Sequence, residues 1–271
     1  MKFFYLLLGA LRQRLSNALA GDKSDSRKLS RTWATSRHFF SLSARRINFL
    51  LLVFRKAPKY LEIGVQRGFT LEAVVAKSRL GVDPAPRFDL SSCPPGTGFV
   101  SATSDDFFSE NVEHGFAVIF LDGLHEAKQT YRDLLSALNC LESGGIILID
   151  DVFPSDEASS LPDLELAEKR KAEEGISHLG WYGDVYKVLG MVSALHPELS
   201  VQLLGTRGSH VQACVWRNSP RLAPYLPEDF DTTPMSRWTF GENVKRSRIF
   251  GYQIERFAVV GLVRTVFAQR F

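Results

Sequence analysis

Three cysteines in 271 residues (Cys93, Cys140 and Cys214) stand far apart and form no CxxC pair. That excludes a disulfide framework and a cysteine zinc site, and it fits a reducing, cytoplasmic setting. Charge of one sign is also scarce: 33 basic against 30 acidic residues leave a net +3, too little to argue for a nucleic-acid partner. The apolar runs near the N-terminus and at 47–54 are too short to span a bilayer. There is no internal repeat. What remains is an ordinary soluble composition, long enough for one substantial core plus an appended segment.

The first eleven residues resemble a signal peptide, yet Arg12 and Arg14 follow the apolar run where a cleavage region would be small and neutral. Phe4, Leu8, Leu11, Leu15 and Leu19 recur at helical spacing instead. The expectation is an amphipathic helix for docking or homo-oligomerisation, with peripheral membrane contact as the alternative. Basic residues concentrate in 12–46 and 245–270 and leave the middle more acidic.

From residue 56 the chain alternates strand-like and helix-like segments. Strands are predicted over 59–63, 80–82, 99–103, 116–121 and 146–149, with hairpin strands at 199–204 and 211–216. Between them, Leu71, Val74, Val75 and Ser78 mark one helix face, and Ser104-Asp105-Asp106 supply an N-cap. Ala127 to Leu141 form a helix stopped by Gly144-Gly145, and 183–196 form another. FAVIFL at 116–121 is apolar throughout, as in a strand covered on both faces. The predicted fold is α/β, a doubly wound, mostly parallel sheet closed by an antiparallel hairpin. The domain reading is a helical extension over 1–55, the sheet domain over 56–218 and an accessory or oligomerisation segment over 219–271. Residues 153–180 are charged and poor in large apolar side chains, which suits a lid or a solvated excursion.

Glu62-Ile63-Gly64-Val65-Gln66-Arg67-Gly68 reads E-x-G-x-x-x-G at a strand-to-helix junction. Gly64 permits a tight turn, and Gly68 permits close approach of backbone to a ligand. Dinucleotide loops need a middle glycine, and Gln66 stands there. An acid two residues before the first glycine would repel a pyrophosphate and suit an ammonium or sulfonium. Asp83, at the next strand end, is placed for ribose hydroxyls. The bland alternative is a βα turn with Asp83 and Asp105 as helix caps.

On these residues the sequence resembles the class I S-adenosylmethionine-dependent methyltransferases, over about 56–217. The resemblance implies a Rossmann-like methyltransferase fold. Glu62, Gly64 and Gly68 would contact the methionine part of S-adenosylmethionine, Asp83 the ribose, and Ser104 and Asp105 the adenine.

Asp122 ends the strand FAVIFL, and Asp150-Asp151 end IILI. Neighbouring strands lie about 5 Å apart, so these carboxylates must share protons or bind a cation. Oxygen ligands in this number suit Mg²⁺, Mn²⁺ or Ca²⁺, with water and substrate oxygens completing the shell. His125, three residues after Asp122, can face the same crevice as a general base or as a further ligand. Taken singly, Asp122 could orient the glycine loop, Asp151 could cap a helix, and His125 could be a surface histidine. The pattern D-G-L-H-E with L-I-D-D-V is similar to the metal-dependent sugar O-methyltransferases of the macrocin and mycinamicin type, and Gly183-Asp184-Val185-Tyr186-Lys187 is more weakly so. That implies Asp122, Asp150 and Asp151 as metal ligands, His125 as base, and a small-molecule or sugar hydroxyl as acceptor. Asp150 stands where Glu is common in that family. His178, Trp181 and Tyr182 are candidates for the acceptor pocket, or for a solvated loop and a helix anchor. The rival functions are a metal-dependent hydroxylase-like enzyme on the same scaffold, or a non-catalytic binding or assembly protein.

Overall fold

A computed structural model of the chain describes residues 41–51, 58–110, 113–205, 210–218, 224–226 and 230–246. The expected N-terminal helix, the tip of the closing hairpin and the apolar tail 257–271 lie outside the described residues.

Seven strands form one sheet. β1 (Lys59–Ile63), β2 (Ser78–Val82), β3 (Thr97–Val100), β4 (Phe116–Leu121) and β5 (Leu141–Ile149) are followed by β6 (Leu199–Leu204) and β7 (Gln212–Arg217). The order is β3-β2-β1-β4-β5-β7-β6. β1 to β5 pair in parallel, while β7 runs antiparallel to both β5 and β6. This is the predicted doubly wound α/β sheet with its closing hairpin.

The helices are α1 (Leu42–Leu51), α2 (Phe69–Ala73), α3 (Ser104–Ser109), α4 (Ala127–Cys140), α5 (Leu164–Glu174), α6 (Lys187–Leu195), α7 (Thr233–Arg237) and α8 (Phe240–Arg246). Successive strand side chains alternate faces, so the sheet divides its apolar residues between two layers. Ile119, Leu121, Ile147 and Ile149 face α4 and α6, where Leu134, Leu138 and Leu189 pack. Val118, Phe120, Ile146 and Leu148 face the opposite way, onto Ile47, Leu50 and Leu51 of α1. Full burial of each such side chain contributes about 1.5–3 kcal/mol. Tyr225, Met235 and Trp238 join the α4 side of the core, with the Trp238 ring filling the space above Gly190. Cys140 and Cys214 are buried free thiols, as expected of small hydrophobes. No helix among the described residues is long and apolar enough to cross a membrane.

Several boundaries differ from the sequence reading. The helix expected to reach Ser78 ends at Ala73, because Val74 turns extended. Buried Arg79 seals that end by donating to the carbonyls of Val74 and Pro95 and to the Thr97 hydroxyl. Gly144-Gly145 do not stop α4, which ends at Cys140 and passes straight into β5 at Leu141. The cap of α3 is Thr103, whose hydroxyl accepts from Asp106 N, rather than the following Ser-Asp-Asp. β3 starts and stops earlier than expected, and α6 begins only at Lys187. The 153–180 stretch contains α5, whose buried Lys171 donates to the Gly180 carbonyl within the same stretch.

Candidate functional site

The strand order reverses between β1 and β4, and in an open α/β sheet the crevice outside the carboxyl ends at such a switch point takes ligands. A cavity of about 730 Å³ lies there. Glu62, Gly64, Asp83, Ser104 and Asp105 line it, as do Asp122 and His125. Gly68 is not on the wall. It precedes the first turn of α2, and its missing Cβ leaves room for the Phe88 ring.

At the β1 end, Glu62 is buried and accepts a hydrogen bond from the Tyr60 hydroxyl at 2.7 Å. Burial pushes its carboxyl up to about 8, and the Asp83 carboxylate adds to the rise. Gly64 takes φ +87°, and a Cβ there would sit 1.9 Å from the Asp122 carbonyl oxygen. The turn can therefore press against the β4 loop only as glycine. Asp83 ties the loop down: its Oδ2 accepts from Val65 N at 3.0 Å and Gln66 N at 2.8 Å, and its Oδ1 from Ala85 N at 2.7 Å. A carboxylate has about four lone-pair directions, so this anchoring leaves room for a hydroxyl donor. Ser104 and Asp105 both accept from Gln129 Nε2, at 3.0 and 2.9 Å, and Asp105 also pairs with Arg132 at 3.0 Å.

At the β4 end, His125 Nε2 lies 3.3 Å from Asp151 Oδ2 and 4.0 Å from Asp122 Oδ1. The three donor atoms all fall within 4.8 Å of one another. Burial raises the carboxyls of Asp122 and Asp151 well above their usual range, and the Asp150 charge raises both further. Burial lowers the His125 imidazole. Its Nδ1 is 3.2 Å from the Trp181 carbonyl, which can only accept, so the geometry assigns the proton to Nδ1 and leaves Nε2 basic and aimed at the carboxylates. The ring also stacks on Trp181, with centroids 4.7 Å apart. The two carboxylate oxygens fit Mg²⁺ or Mn²⁺ with open positions for water and substrate, and the imidazole nitrogen beside them is placed to act as a base.

The segment after Trp181 clamps this turn. Gly183 has φ +58°, and a Cβ on it would lie 1.8 Å from the His125 carbonyl oxygen. Asp184 Oδ1 accepts from Ala127 N at 2.7 Å, capping α4, while Lys187 Nζ donates to its Oδ2 at 2.8 Å. In sequence this segment shows only a weak family resemblance and no role. Local pattern could not have shown that it reaches back 57 residues to start α4.

Asp150 goes elsewhere. Its carboxylate is engaged by half-exposed His210 and buried Gln212, while its charge still acts on Asp122, His125 and Asp151. His178 pairs with Asp156 at 2.6 Å, and Trp181 Nε1 donates to the Leu161 carbonyl. None of His178, Trp181 or Tyr182 is on the cavity wall.

Residues 61–152, from β1 through the Asp150–Asp151 turn, match the family model of a methyltransferase domain. No curated protein matches the chain in sequence. Among solved structures, cofactor-bound Rv0187 from MTB is similar at 20% identity, covering 74% of this chain and 88% of that one, with a TM-score of 0.48. An O-methyltransferase from Bacillus cereus in complex with SAH is 15% identical over 75% of this chain and 94% of that one, at 0.43. TomG from Streptomyces achromogenes, an O-methyltransferase in complex with SAM, is 13% identical over 64% and 78%, at 0.42. The family match supports a methyltransferase domain over residues 61–152.

Proposed function

We propose that the chain is an S-adenosylmethionine-dependent O-methyltransferase assisted by Mg²⁺ or Mn²⁺, acting on a hydroxyl of a small molecule or sugar. The observation that carries this reading is a single cavity walled at one side by Glu62, Gly64 and Asp83 and at the other by Asp122 and His125, with Asp151 behind. Glu62 would meet the ammonium of the methionine part, Asp83 the ribose hydroxyls, and Ser104 and Asp105 the adenine. Bound S-adenosylmethionine supplies an electrophilic methyl on a sulfonium, displaced in line. Of the acidic set Asp122, Asp150 and Asp151, the first and last face His125 and would hold the cation, which lowers the pKa of an acceptor hydroxyl.

The protein's own part is positioning and proton transfer. His125 Nε2 takes the acceptor proton while the Trp181 carbonyl keeps Nδ1 protonated. The stacked Trp181 ring fixes the imidazole plane. Orientation of acceptor oxygen against methyl carbon carries much of the rate in such a displacement.

Product mass tests the assignment. Incubation with S-adenosylmethionine, Mg²⁺ and a panel of sugar and phenol acceptors should add one methylene to a hydroxyl and lose the gain with chelator. A gain of one oxygen would move the scaffold to hydroxylation, and no product on any acceptor would favour a binding protein.

A further inference from the structure

The acidic pair at the end of β5 divides its labour. We propose that Asp150 is a positioning residue and not a cation ligand, and that helix α1 is part of the site because Arg46 holds the network that fixes Asp150. This rests on the cation-assisted reading above.

The Asp150 carboxylate is buried and already supplied with donors. Its Oδ1 accepts from Asp151 N at 2.8 Å and lies 2.6 Å from His210 Nε2. Its Oδ2 accepts from Gln212 Nε2 at 3.0 Å. Gln212 is fully buried and has no slack: Nε2 also donates to Ser43 Oγ at 2.7 Å, and Oε1 accepts from Arg46 Nη1 at 2.9 Å. Arg46 Nη2 donates to the His210 carbonyl at 2.9 Å. Ser43 and Arg46 both belong to α1. These three partners leave the Asp150 carboxylate one lone-pair direction of about four, on Oδ2 beside the buried Gln212 amide, so Asp150 is committed mainly to the network.

The same contacts explain Asp151. Its φ of +57° is a conformation that residues with a side chain seldom adopt. The Asp150 oxygen on Asp151 N holds it there, and that turn aims Asp151 Oδ2 at His125 Nε2. Asp150, Asp151 and His210 also bring donor atoms within 4.8 Å of one another. The 2.6 Å approach of His210 to Asp150 is hydrogen-bond distance, which leaves no room for an ion between those two atoms. Among the described residues this leaves one ion site.

Mn²⁺ titration followed by the electron paramagnetic resonance of the free ion tests this on the full-length protein, with SAH affinity and thermal melting as folding controls. Wild type should bind one Mn²⁺. Asp151→Asn should lose about a hundredfold in affinity, and Asp150→Asn about tenfold through the disturbed network. The deciding variant combines Asp150→Asn with Gln212→Glu. The new amide then donates where the carboxylate accepted, and the new carboxylate faces Arg46. Recovery to within about threefold of wild type is expected of an outer-shell role. A combined variant as weak as Asp151→Asn would overturn the proposal, as would two ions per wild-type chain. If the combined variant fails to fold, Arg46→Ala decides: about tenfold weaker Mn²⁺ binding is expected, and unchanged binding would refute the link to α1. A wild-type protein that binds SAH but no Mn²⁺ would sink the cation reading together with the role given to Asp150.

Discussion

Glu62→Gln should make the ligand-free protein more stable at alkaline pH while removing its affinity for cofactor. Glu62 is buried, accepts from the Tyr60 hydroxyl at 2.7 Å, and its carboxyl rises from 4.5 to about 8 mainly because burial penalises the charge. A raised folded-state value means that the acid's stabilising effect is complete below pH 4.5 and is lost as pH climbs to about 8. At about 1.4 kcal/mol per pH unit, the loss across that window is bounded at about 5 kcal/mol. Relaxation and water entry reduce this, and half of it would still shift the melting temperature by roughly 5–10 °C in a domain of this size. Glutamine keeps the shape, accepts from Tyr60 and does not titrate. Urea denaturation at pH 5.5, 7 and 8.5 should therefore show wild type falling with pH and the variant falling much less. The curves should cross so that the variant is the more stable protein at pH 8.5, and SAH titration should show its binding lost. Parallel pH profiles for the two proteins would refute the account of Glu62 as a desolvated acid awaiting a cationic partner.

His125→Ala should lose about 10²–10⁴ in turnover and keep its SAH affinity, by steady-state kinetics beside calorimetry. Because burial lowers the imidazole, wild-type turnover should hold level as pH falls through 6.5 and drop only below it; a fall centred above 6.5 would contradict this. Gly64→Ala, which forces a Cβ to 1.9 Å from the Asp122 carbonyl oxygen at φ +87°, should cost about 3 kcal/mol or more by urea denaturation. Asp184→Ala removes the cap on α4 and should cost about 1–2 kcal/mol by the same assay.

The sheet was legible because its strands obey simple rules. FAVIFL is apolar on both faces and proves to be the fully buried central strand, and the hairpin alternation at 199–216 places β6 and β7 within a residue. Acids that end strands were also legible, since a parallel sheet brings those ends to one crevice, and this put Asp83 and Asp122 on one cavity wall. Short elements were not. The apolar spacing of Leu71 and Val74 suited a long helix, but Val74 turns extended so that Arg79 can reach its carbonyl. The division of work between Asp150 and Asp151 was hidden for a stronger reason. It depends on partners 164 and 166 residues from Arg46, and neither periodicity nor local motif encodes such a distance. The sequence placed both acids at the strand end; only packing turned one outward to His125 and the other inward to Gln212.

The most direct test of the central claim is calorimetric titration of S-adenosylhomocysteine into the full-length protein, once with Mg²⁺ and once with chelator. One-to-one binding, strengthened or enabled by Mg²⁺, is the predicted result. No binding in either condition would contradict the cofactor assignment and, with it, the methyltransferase reading.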